Sequence, residues 1–396
     1  MTGADFARYS QSLDAAGMGW PRLIIDAARL AHNTGQIADL AGSRPVRLVD
    51  KSLPSPALLT RLSDALGTRR FMSFHAPLTV QTALAVPDAH ILMGKPLPIR
   101  AVETVISALD GRFDWESRLV WLADTPDTLA GLDALAQRAG RTLAIALEID
   151  IGLHRGGARD LQALSALLDG FSSAHIRLAG LMGYDAHLAA ASWPVSRSTA
   201  TRRSQECYRA CIALVEARGL LTPELIFNGA GSPTLALQGD SPCNEVSVGS
   251  AFVKPSDFDV AGLEALLPAA FIAAPILKRM SGVPVPLLPA LSRIAGRGRD
   301  TLCVYGGKWM ADPVWPPTLR ADRLFGESSN QQRMIVDRRT PPAPGDWAYF
   351  RPTQSEAVLM QFGPLVLIGA DGGVTELPIH ASDLAGITPE PMEPLP

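Results

Sequence analysis

Several features that would place this chain among secreted or membrane proteins are missing from the sequence. The N-terminal segment has neither the basic start nor the continuous apolar stretch of a signal peptide. No window reaches the ~18 apolar residues that a membrane-spanning helix needs. The 4 cysteines in 396 residues show no spacing typical of a disulfide framework. We therefore expect a cytoplasmic protein with reduced thiols.

Charge of one sign is not concentrated anywhere in the chain. The 36 basic and 39 acidic residues are spread along it and leave a net charge of −3. A nucleic acid or an anionic membrane is usually recognised by a basic run or stripe, and the sequence contains none. The composition thus predicts that neither nucleic acid nor a membrane is the main partner.

Cysteine also offers little for a metal site. Cys207 and Cys211 are four residues apart in a helical pattern, a spacing that can in principle hold a metal ion. No matching pair of His or Cys lies nearby in the sequence. A shared helix face is therefore the better interpretation of this pair.

Short apolar runs alternate with longer amphipathic stretches from about residue 22 to 250. This alternation is typical of a parallel sheet covered on both faces. Eight such units predict an α/β fold, a (β/α)8 TIM-type barrel with its active site at the carboxyl ends of the strands. A doubly wound sheet is the alternative, but the glycine-rich turn expected after its first strand is missing. The predicted strands are Arg47–Asp50, Arg70–Phe74, His90–Met93, Leu119–Leu122, Leu143–Ile149, Ile176–Tyr184, Glu224–Phe227 and Glu245–Val248.

The alternation of predicted strands and helices ends at about residue 268. Phe271–Met280 reads as a strand, and short strand-like runs with Pro- and Gly-rich connections follow without a long helix. These features predict a smaller, mostly β domain of ordinary domain size. The expected division is a barrel domain with its lead-in segment at 1–268 and a C-terminal β domain at 269–396.

Lys51 is the residue whose reactivity can be argued most directly from its place in the sequence. It directly follows the first predicted barrel strand, in the run Val46–Ser52. An ammonium group at the mouth of a packed barrel loses part of its hydration, which favours the neutral amine. A neutral lysine amine is a nucleophile that forms a Schiff base with an aldehyde. An ordinary surface lysine is the alternative, and Lys51 by itself does not exclude it.

Polar residues follow the other predicted strands and would meet Lys51 at the same mouth. Arg155 follows a sharp turn after the fifth strand and can hold a carboxylate or phenolate oxygen, or simply brace its loop. Tyr184, after the sixth strand, can lie against a planar ring or close the core. His75 is as readily structural as chemical, and His187 is more readily structural.

Two turns of small residues follow the last two predicted strands. Small residues let backbone N–H groups approach an anion closely, and barrels commonly bind phosphate at this place. For either turn alone, a tight turn that needs glycine for positive φ is the better interpretation. The joint position of the two turns favours a phosphate site. The residues concerned are Gly229, Gly231 and Ser232 in the first turn, and Gly249 and Ser250 in the second.

Taken in order, these motifs resemble a known family. The sequence is similar to fold-type III pyridoxal-5′-phosphate enzymes of the D-threonine aldolase and D-serine dehydratase group, which are related to alanine racemase. The resemblance covers nearly the whole chain, and the order and spacing of the motifs are more specific than any single one. The segments that carry it are Pro21–Asp26, the Lys51 strand, Glu148–Gly157, Gly180–His187, Asn228–Thr234 and Asn244–Ser250.

The resemblance implies a role for each of these residues. Lys51 would carry pyridoxal 5′-phosphate as a Schiff base, and Arg155 would lie near the ring oxygen of the cofactor or the substrate carboxylate. Tyr184 would lie against the pyridine ring. Ser247 would face the pyridine nitrogen, which then stays unprotonated and moderates the electron sink. The phosphate would be held by Gly229, Gly231, Ser232, Gly249 and Ser250. The resemblance also implies a homodimer, in which the partner's β domain completes the barrel mouth.

Two segments depart from the family pattern. The lysine motif is usually Arg-Pro-His-x-Lys-Thr-His-Lys, and the run from Arg44 to Lys51 keeps only its Arg-Pro start and its final lysine. The C-terminal motif usually supplies a His and a Cys or Asp for a divalent metal that activates the substrate hydroxyl. Here His380 matches, Ser382 replaces the second ligand, and Asp383 is displaced by one residue. His380 and Asp383 are thus the candidate metal ligands, and the alternative is that His380 is a base without a metal.

The leading functional hypothesis is a pyridoxal-phosphate-dependent lyase that acts on D-configured β-hydroxy amino acids through a Lys51 Schiff base. Its reaction would be of the D-threonine aldolase or the D-serine dehydratase type. Lys51 and His380 are the candidate catalytic residues, with His380 or the released Lys51 as the base. The alternatives are an amino-acid racemase and a non-catalytic protein that binds the same cofactor.

Overall fold

A computed structural model describes residues 2–322, 326–339 and 342–384. It divides into two compact units, which we name the barrel unit and the β unit. The described residues of the barrel unit are 34–251, 260–265 and 380–384, and those of the β unit are the remaining ones, from 2–33, 252–259 and 266–379. This division differs from the boundary predicted at residue 268, because the N-terminal residues group with the C-terminal sheet and His380 groups with the barrel.

The described residues form ten helices and seventeen strands, numbered here in chain order. The helices are α1 (Gly3–Ala15), α2 (Ala27–Ala41), α3 (Pro56–Leu66), α4 (Ala76–Ala85), α5 (Ile99–Leu109), α6 (Trp115–Arg118), α7 (Pro126–Ala139), α8 (Leu161–Asp169), α9 (Arg197–Ala217) and α10 (Pro289–Ala295). The strands are β1 (Arg22–Asp26), β2 (Val46–Val49), β3 (Arg70–Ser73), β4 (His90–Met93), β5 (Leu119–Ala123), β6 (Leu143–Glu148), β7 (Ile176–Met182), β8 (Ile226–Gly229), β9 (Glu245–Val248), β10 (Ala270–Ser281), β11 (Arg299–Tyr305), β12 (Ala311–Trp315), β13 (Arg320–Ala321), β14 (Gln331–Asp337), β15 (Trp347–Pro352), β16 (Leu365–Ile368) and β17 (Val374–Leu377).

Eight parallel strands, β2 to β9, close the barrel of the barrel unit, with β9 pairing back onto β2. Every residue of β2, β5, β6 and β9 is buried. Full burial is expected for strands that have a packed interior on one side and helices on the other. The predicted (β/α)8 barrel is confirmed; His90–Met93 and Glu245–Val248 have the predicted bounds, and the other six strands differ by one or two residues at one or both ends.

Local sequence signals explain where several barrel helices begin and end. Ser55 caps α3, since its hydroxyl accepts a hydrogen bond from the backbone N–H of Leu58, and Pro56 occupies the first helical position. The helix ends at Gly67, whose φ of +60° lies in the left-handed region that favours glycine.

No helix among the described residues is long and apolar enough to cross a lipid bilayer.

Nine strands form the sheet of the β unit, which confirms the predicted mostly-β part of the chain. The N-terminal strand β1 lies inside this sheet, antiparallel to β10 and parallel to β16. Helix α1 adds Phe6 and Tyr9 to a buried core that also contains Phe271 and Tyr349. The ring of Phe6 stacks on Trp315 with centroids 5.2 Å apart. The N-terminal residues therefore belong to the β unit because both β1 and α1 supply part of its core.

One buried ion pair lies inside the barrel. Arg47 on β2 donates to both carboxylate oxygens of Glu245 on β9, at 2.6 and 2.8 Å, and both side chains are fully buried. Glu245 also accepts hydrogen bonds from Arg70 at 2.6 Å and from the Asn228 amide at 2.8 Å. Four donor contacts thus compensate the charge that Glu245 brings into the core.

Candidate active site

Lys51 lies in a short 3₁₀ turn, Asp50–Ser52, that directly follows β2. Its ammonium nitrogen lies 4.7 Å from the centre of the Phe74 ring, which follows β3. A cation held against an aromatic face exchanges part of its water shell for the negative face of the ring. The structure therefore places Lys51 at the carboxyl ends of the barrel strands, where the sequence predicts it.

The neighbouring Asp50 was not predicted to have a role, yet its carboxyl group is fully buried beside the lysine. It accepts a hydrogen bond from the hydroxyl of Thr82 on α4 at 3.4 Å. Burial raises the pKa of Asp50 to about 7, against the opposing effect of hydrogen bonds from Ser73, the Lys51 backbone N–H and Thr82. The sequence signal for Asp50 is an acidic residue directly after a short, mostly apolar strand.

Arg155 and Tyr184 meet although they follow different strands, β6 and β7. The guanidinium carbon of Arg155 lies 4.9 Å from the centre of the Tyr184 ring. A guanidinium group stacked on a ring keeps its outer N–H groups available for an anion. The structure therefore brings together two of the residues that the sequence analysis selected.

The loop before Arg155 is shaped by Asp150. Its carboxylate accepts hydrogen bonds from the backbone N–H groups of Gly152 and His154, both at 3.0 Å. The His154 ring nitrogen Nδ1 lies 2.8 Å from the same carboxylate. Burial raises the pKa of Asp150, but these hydrogen bonds outweigh it and hold the pKa below its usual range. The carboxylate thus stays ionised and fixes the turn that delivers Arg155.

Glu148, the last residue of β6, was named in the sequence only as part of a motif. Its side chain is buried, and burial raises the pKa of its carboxyl to about 7. The negative charges of Asp124 and Asp150 raise this pKa further, whereas the charge of Arg155 lowers it. Glu148 is therefore a titratable group near neutral pH that lies within the electrostatic reach of Arg155.

The turns after β8 and β9 are joined by Ser232. Its buried hydroxyl accepts hydrogen bonds from the backbone N–H groups of Gly249 at 3.1 Å and Ala251 at 3.0 Å. The hydroxyl of Ser250 lies 3.3 Å from that of Ser52, in the turn that contains Lys51. A Cβ atom at Gly249 would lie 2.7 Å from the Ser52 side chain, so only glycine fits there. The two predicted turns thus form one connected structure beside the lysine turn.

The two glycines of the first turn have a packing role in the structure. A Cβ atom at Gly231 would lie 2.5 Å from the ring of Tyr184. A Cβ atom at Gly229 would collide with the sulfur of Cys243. Close approach of neighbouring side chains therefore explains both glycines, while their predicted role in phosphate binding stays a prediction.

Ser247 lies on β9 and is buried. Its hydroxyl lies 2.9 Å from the amide nitrogen of Asn228 and 3.1 Å from the amide oxygen. A hydroxyl paired with a neutral amide adds no charge to the barrel interior. The side chain at this position is therefore neutral, as the resemblance requires for the group that faces a pyridine nitrogen.

The sequence does not decide whether His75 and His187 have a structural or a chemical role. For His187, the contacts favour a structural role. Its ring nitrogen Nε2 lies 3.1 Å from the hydroxyl of Ser204, which itself donates to the carbonyl of Ile151. His75 is exposed in terms of its surface area, yet partial desolvation by its neighbours, together with the charges of Lys95 and Lys51, lowers the pKa of its ring. His75 therefore lies close enough to Lys51 to sense its charge.

His380 belongs to the barrel unit, although the residues just before it belong to the β unit. It is almost completely buried, with 2% of its surface exposed. Its backbone N–H donates to the carbonyl of Pro54 at 2.8 Å, and the next residue, Ala381, exchanges two hydrogen bonds with Gln81. Within the described part of the chain, neither ring nitrogen of His380 has a hydrogen-bond partner. Burial lowers the pKa of the ring to about 4, so it is neutral at neutral pH.

Comparison with protein families matches residues 25–257 to the family described as alanine racemase, N-terminal domain. The match covers more than half of the 396 residues. The chain belongs to the alanine racemase N-terminal domain family. The resemblance to fold-type III enzymes drawn from the sequence motifs is thereby confirmed.

Solved structures with the alanine racemase fold extend over nearly the whole chain. D-Threonine aldolase from Filomicrobium marinum is 22% identical with a TM-score of 0.73, over 92% of this chain and 97% of that one. D-threo-3-hydroxyaspartate dehydratase from Delftia sp. HT23 is 16% identical with a TM-score of 0.69, over 91% and 97%. Alanine racemase from Clostridium difficile 630 is 15% identical with a TM-score of 0.70, over 91% and 98%. These likenesses show the fold. No curated protein sequence matches the chain.

Within this family fold, the residues around His380 do not fit a divalent-metal site. Among the described residues, no group of three or more His, Cys, Asp or Glu side chains is gathered closely enough to hold an ion. Ser382 and Asp383 are exposed, whereas His380 is buried. A neutral hydroxyl is also a poor ligand compared with a thiolate or carboxylate. The described residues around His380 therefore lack the donor set of a divalent-metal site.

Proposed function

We propose that this protein is a pyridoxal-5′-phosphate-dependent lyase that acts on D-configured β-hydroxy amino acids. The observation that carries the proposal is the position of Lys51, at the end of the first barrel strand of an alanine racemase-type barrel. The reaction would be aldol cleavage or dehydration. A homodimer and a cytoplasmic location remain predictions from the sequence.

The residues at the barrel mouth fit this cofactor. Lys51 offers an amine, Tyr184 offers a flat face, and the Ser232 hydroxyl offers a hydrogen for a phosphate oxygen, because its acceptor positions are used by two backbone N–H groups. When bound, pyridoxal phosphate supplies an aldehyde that reacts with amines and an electron sink for charge that develops on the substrate carbon. Gly229, Gly231, Gly249 and Ser250 complete the proposed phosphate-binding turns, and Ser247 supplies the neutral group for the ring nitrogen.

The protein side chains then supply binding and proton transfer. Arg155 holds the substrate carboxylate or the ring oxygen through paired N–H groups. The amine of Lys51, when it does not carry the cofactor, would accept or return a proton. His380, neutral above about pH 4, accepts a proton at one of its ring nitrogens from the β-hydroxyl of the substrate in cleavage, or from its α-carbon in dehydration.

Product analysis tests the proposed function. The purified protein, reconstituted with pyridoxal phosphate, is incubated with D-threonine, D-serine and D-alanine, and the products are separated by chiral chromatography. Glycine with an aldehyde indicates aldol cleavage, and a 2-oxo acid with ammonia indicates dehydration; either result supports the proposal. Formation of the L-enantiomer as the main product would identify a racemase instead. Cofactor binding without any product from a broad panel of D-amino acids would contradict a catalytic function.

Replacement of Glu148 by glutamine is expected to lower kcat/KM about tenfold above pH 7 and to change it little below pH 6. The reason is the buried carboxyl with a pKa of about 7, whose negative charge attracts the Arg155 guanidinium at high pH and is lost at low pH. The measurement is the pH profile of kcat/KM for both proteins. Glu103→Gln, which removes an exposed carboxylate, is the control and should follow the wild type. Parallel profiles for the Glu148 variant and the wild type would contradict this role.

Replacement of His380 by leucine is expected to leave the melting temperature unchanged or to raise it, while turnover falls about a hundredfold. A buried ring with two unsatisfied nitrogens carries a desolvation penalty of about 1–3 kcal/mol, which an apolar side chain of similar volume avoids. The measurements are thermal unfolding and initial rates. A large loss of stability would show that His380 is a structural residue.

The same experiment includes a chelator, because the metal interpretation of His380 predicts a different result. If His380 is a base without a metal, treatment of the wild type with EDTA should leave the rate unchanged. A rate that falls with EDTA and returns with a divalent cation would contradict the metal-free interpretation and leave His380 as a metal ligand.

A further inference from the structure

The β unit contains a cleft lined by arginine, which we name the arginine cleft. Its volume is about 530 Å³, within the range of pockets that hold small molecules. The charged residues that line it are Arg297, Arg299, Arg320, Asp337, Arg338 and Arg339. None of them belongs to the proposed cofactor site, so an inference about this cleft is independent of the proposed function.

The fold gathers these arginines from three separate segments. Arg299 is the first residue of β11 and lies opposite Asp337, the last residue of the neighbouring strand β14. Arg320 is the first residue of the edge strand β13, which pairs with β14. The backbone N–H of Arg338 donates to the carbonyl of Gly298 at 2.9 Å and joins the segments beyond the strand ends. Only Arg297 and Arg299, and Arg338 and Arg339, are close in the sequence, so the cluster of five is visible only after folding.

Arg338 is held in place by the protein itself. Its Nε donates to the buried carboxylate of Asp300 at 2.8 Å, and its Nη2 donates to the carbonyl of Arg299 at 3.0 Å. Asp300 is shared with Arg279, whose guanidinium lies 2.7 Å away. One wall of the cleft is therefore a fixed guanidinium group, and its charge is only partly balanced.

The other four arginines of the cleft lack such partners. Over residues 2–322, 326–339 and 342–384, the side chains of Arg297, Arg299, Arg320 and Arg339 form neither a hydrogen bond nor an ion pair. Many exposed arginines of the barrel unit are paired instead. The pairs include Arg138 with Glu103, Arg202 with Glu206 and Arg218 with Asp169, at 2.6–2.9 Å.

The balance of charge in the cleft favours an anion. Five arginines and one aspartate give a formal charge of 5 − 1 = +4. The carboxylate of Asp337 accepts a hydrogen bond from the backbone N–H of Arg339 at 3.0 Å, so it is already used in part. Like charges that line one concavity repel each other and concentrate counter-ions. One guanidinium group can donate two parallel hydrogen bonds to two oxygens of a phosphate group.

We propose that the arginine cleft binds a small molecule that carries at least two phosphate groups, one molecule per chain. Several negative charges are needed to match the cleft, and its volume suits a compact ligand. A free polyphosphate and a nucleotide share this chemistry. A nucleic acid would instead require basic groups along an extended path, and the described arginines of the cleft are confined to one concavity.

Isothermal titration calorimetry of the full-length protein, which measures ligand binding at constant ionic strength, tests the proposal. The probes are inorganic pyrophosphate, adenosine diphosphate and, for comparison, sulfate. The double variant Arg299→Gln with Arg320→Gln removes two unpaired guanidinium groups, and the control variant Arg138→Gln with Arg202→Gln removes two paired ones. We expect one saturable site for pyrophosphate or the nucleotide, with an affinity at least about tenfold lower in the cleft variant and unchanged in the control.

The two phosphate probes separate the possible sources of the ligand. Adenosine diphosphate and pyrophosphate both carry two phosphate groups, so tighter binding of the nucleotide would show that the cleft also recognises the nucleoside, and equal or weaker binding would identify a free polyphosphate. Circular dichroism of both variants checks that the fold is kept. The proposal is overturned if no saturable binding is found, if sulfate binds equally well, or if both variants lose affinity alike.

Discussion

Replacement of Lys51 by alanine is expected to remove the visible absorption band of the reconstituted protein and to lower turnover by about a thousandfold or more. The amine of Lys51 would be both the covalent attachment point of the cofactor and a group that moves protons. The loss of both functions would leave only the proposed contacts of Tyr184, Arg155 and the two turns to hold the cofactor. The measurement combines the absorption spectrum of the purified protein with its initial rate.

The controls for this prediction separate lost chemistry from lost folding. Lys51→Arg keeps a positive charge against the Phe74 ring, so its fold should be retained while the band is still lost. Lys278→Ala removes an exposed lysine of the β unit and should leave the band unchanged. Reduction of the wild type with borohydride should attach the cofactor to the peptide that contains Lys51. Attachment to another lysine, or a wild type that stays colourless after reconstitution, would contradict the whole functional proposal.

The barrel could be predicted from the sequence because its strands are short, continuous and apolar. β6 is buried at every residue, as expected for a parallel strand with helices on both sides, and the number of such units favours the barrel over a doubly wound sheet. The predicted seventh strand, Glu224–Phe227, was displaced by two residues from the strand seen, Ile226–Gly229. Leu225 and Ile226 are buried, whereas Glu224 is exposed, and an apolar pattern alone does not set the register at such an end.

The division into units could not be predicted in the same way, because it depends on pairing between distant segments. β1 reads as an ordinary strand, but its partners β10 and β16 lie hundreds of residues further along the chain. His380 is a similar case, since it follows the last strand of the β unit and yet donates its backbone N–H to Pro54 in the barrel unit. Sequence patterns report local periodicity, and neither contact is local.

The site was predicted in its positions more than in its electrostatics. Lys51, Arg155 and Tyr184 lie at strand ends, where the barrel fold brings such residues together. The raised pKa values of Asp50 and Glu148 depend on burial and on neighbouring charges from other strands, which a sequence does not contain.

Replacement of Glu245 by glutamine is expected to destabilise the barrel by about 3–5 kcal/mol, because it leaves the Arg47 guanidinium buried without an opposite charge. The measurement is urea unfolding, with the midpoint compared at equal slope. Glu103→Gln breaks an exposed pair with Arg138 and should cost less than about 1 kcal/mol. The double replacement Arg47→Met with Glu245→Leu removes both buried charges and should recover most of the lost stability. A single variant as stable as the wild type would show that the pair contributes nothing.

The effect of Glu245 should also depend on pH in a defined direction. Burial raises its pKa, but the charges and hydrogen bonds of Arg47 and Arg70 outweigh burial and lower the pKa to about 2. A carboxyl group whose pKa is lower in the folded state than in the unfolded state stabilises the fold fully above its unfolded pKa, near 4.5. This contribution declines as the pH falls from there towards about 2. The stability difference between the wild type and Glu245→Gln should therefore be constant above about pH 5 and shrink by about 3 kcal/mol in acid. A difference that stays constant from neutral pH down to pH 3 would show that the carboxylate is not held ionised by the two arginines.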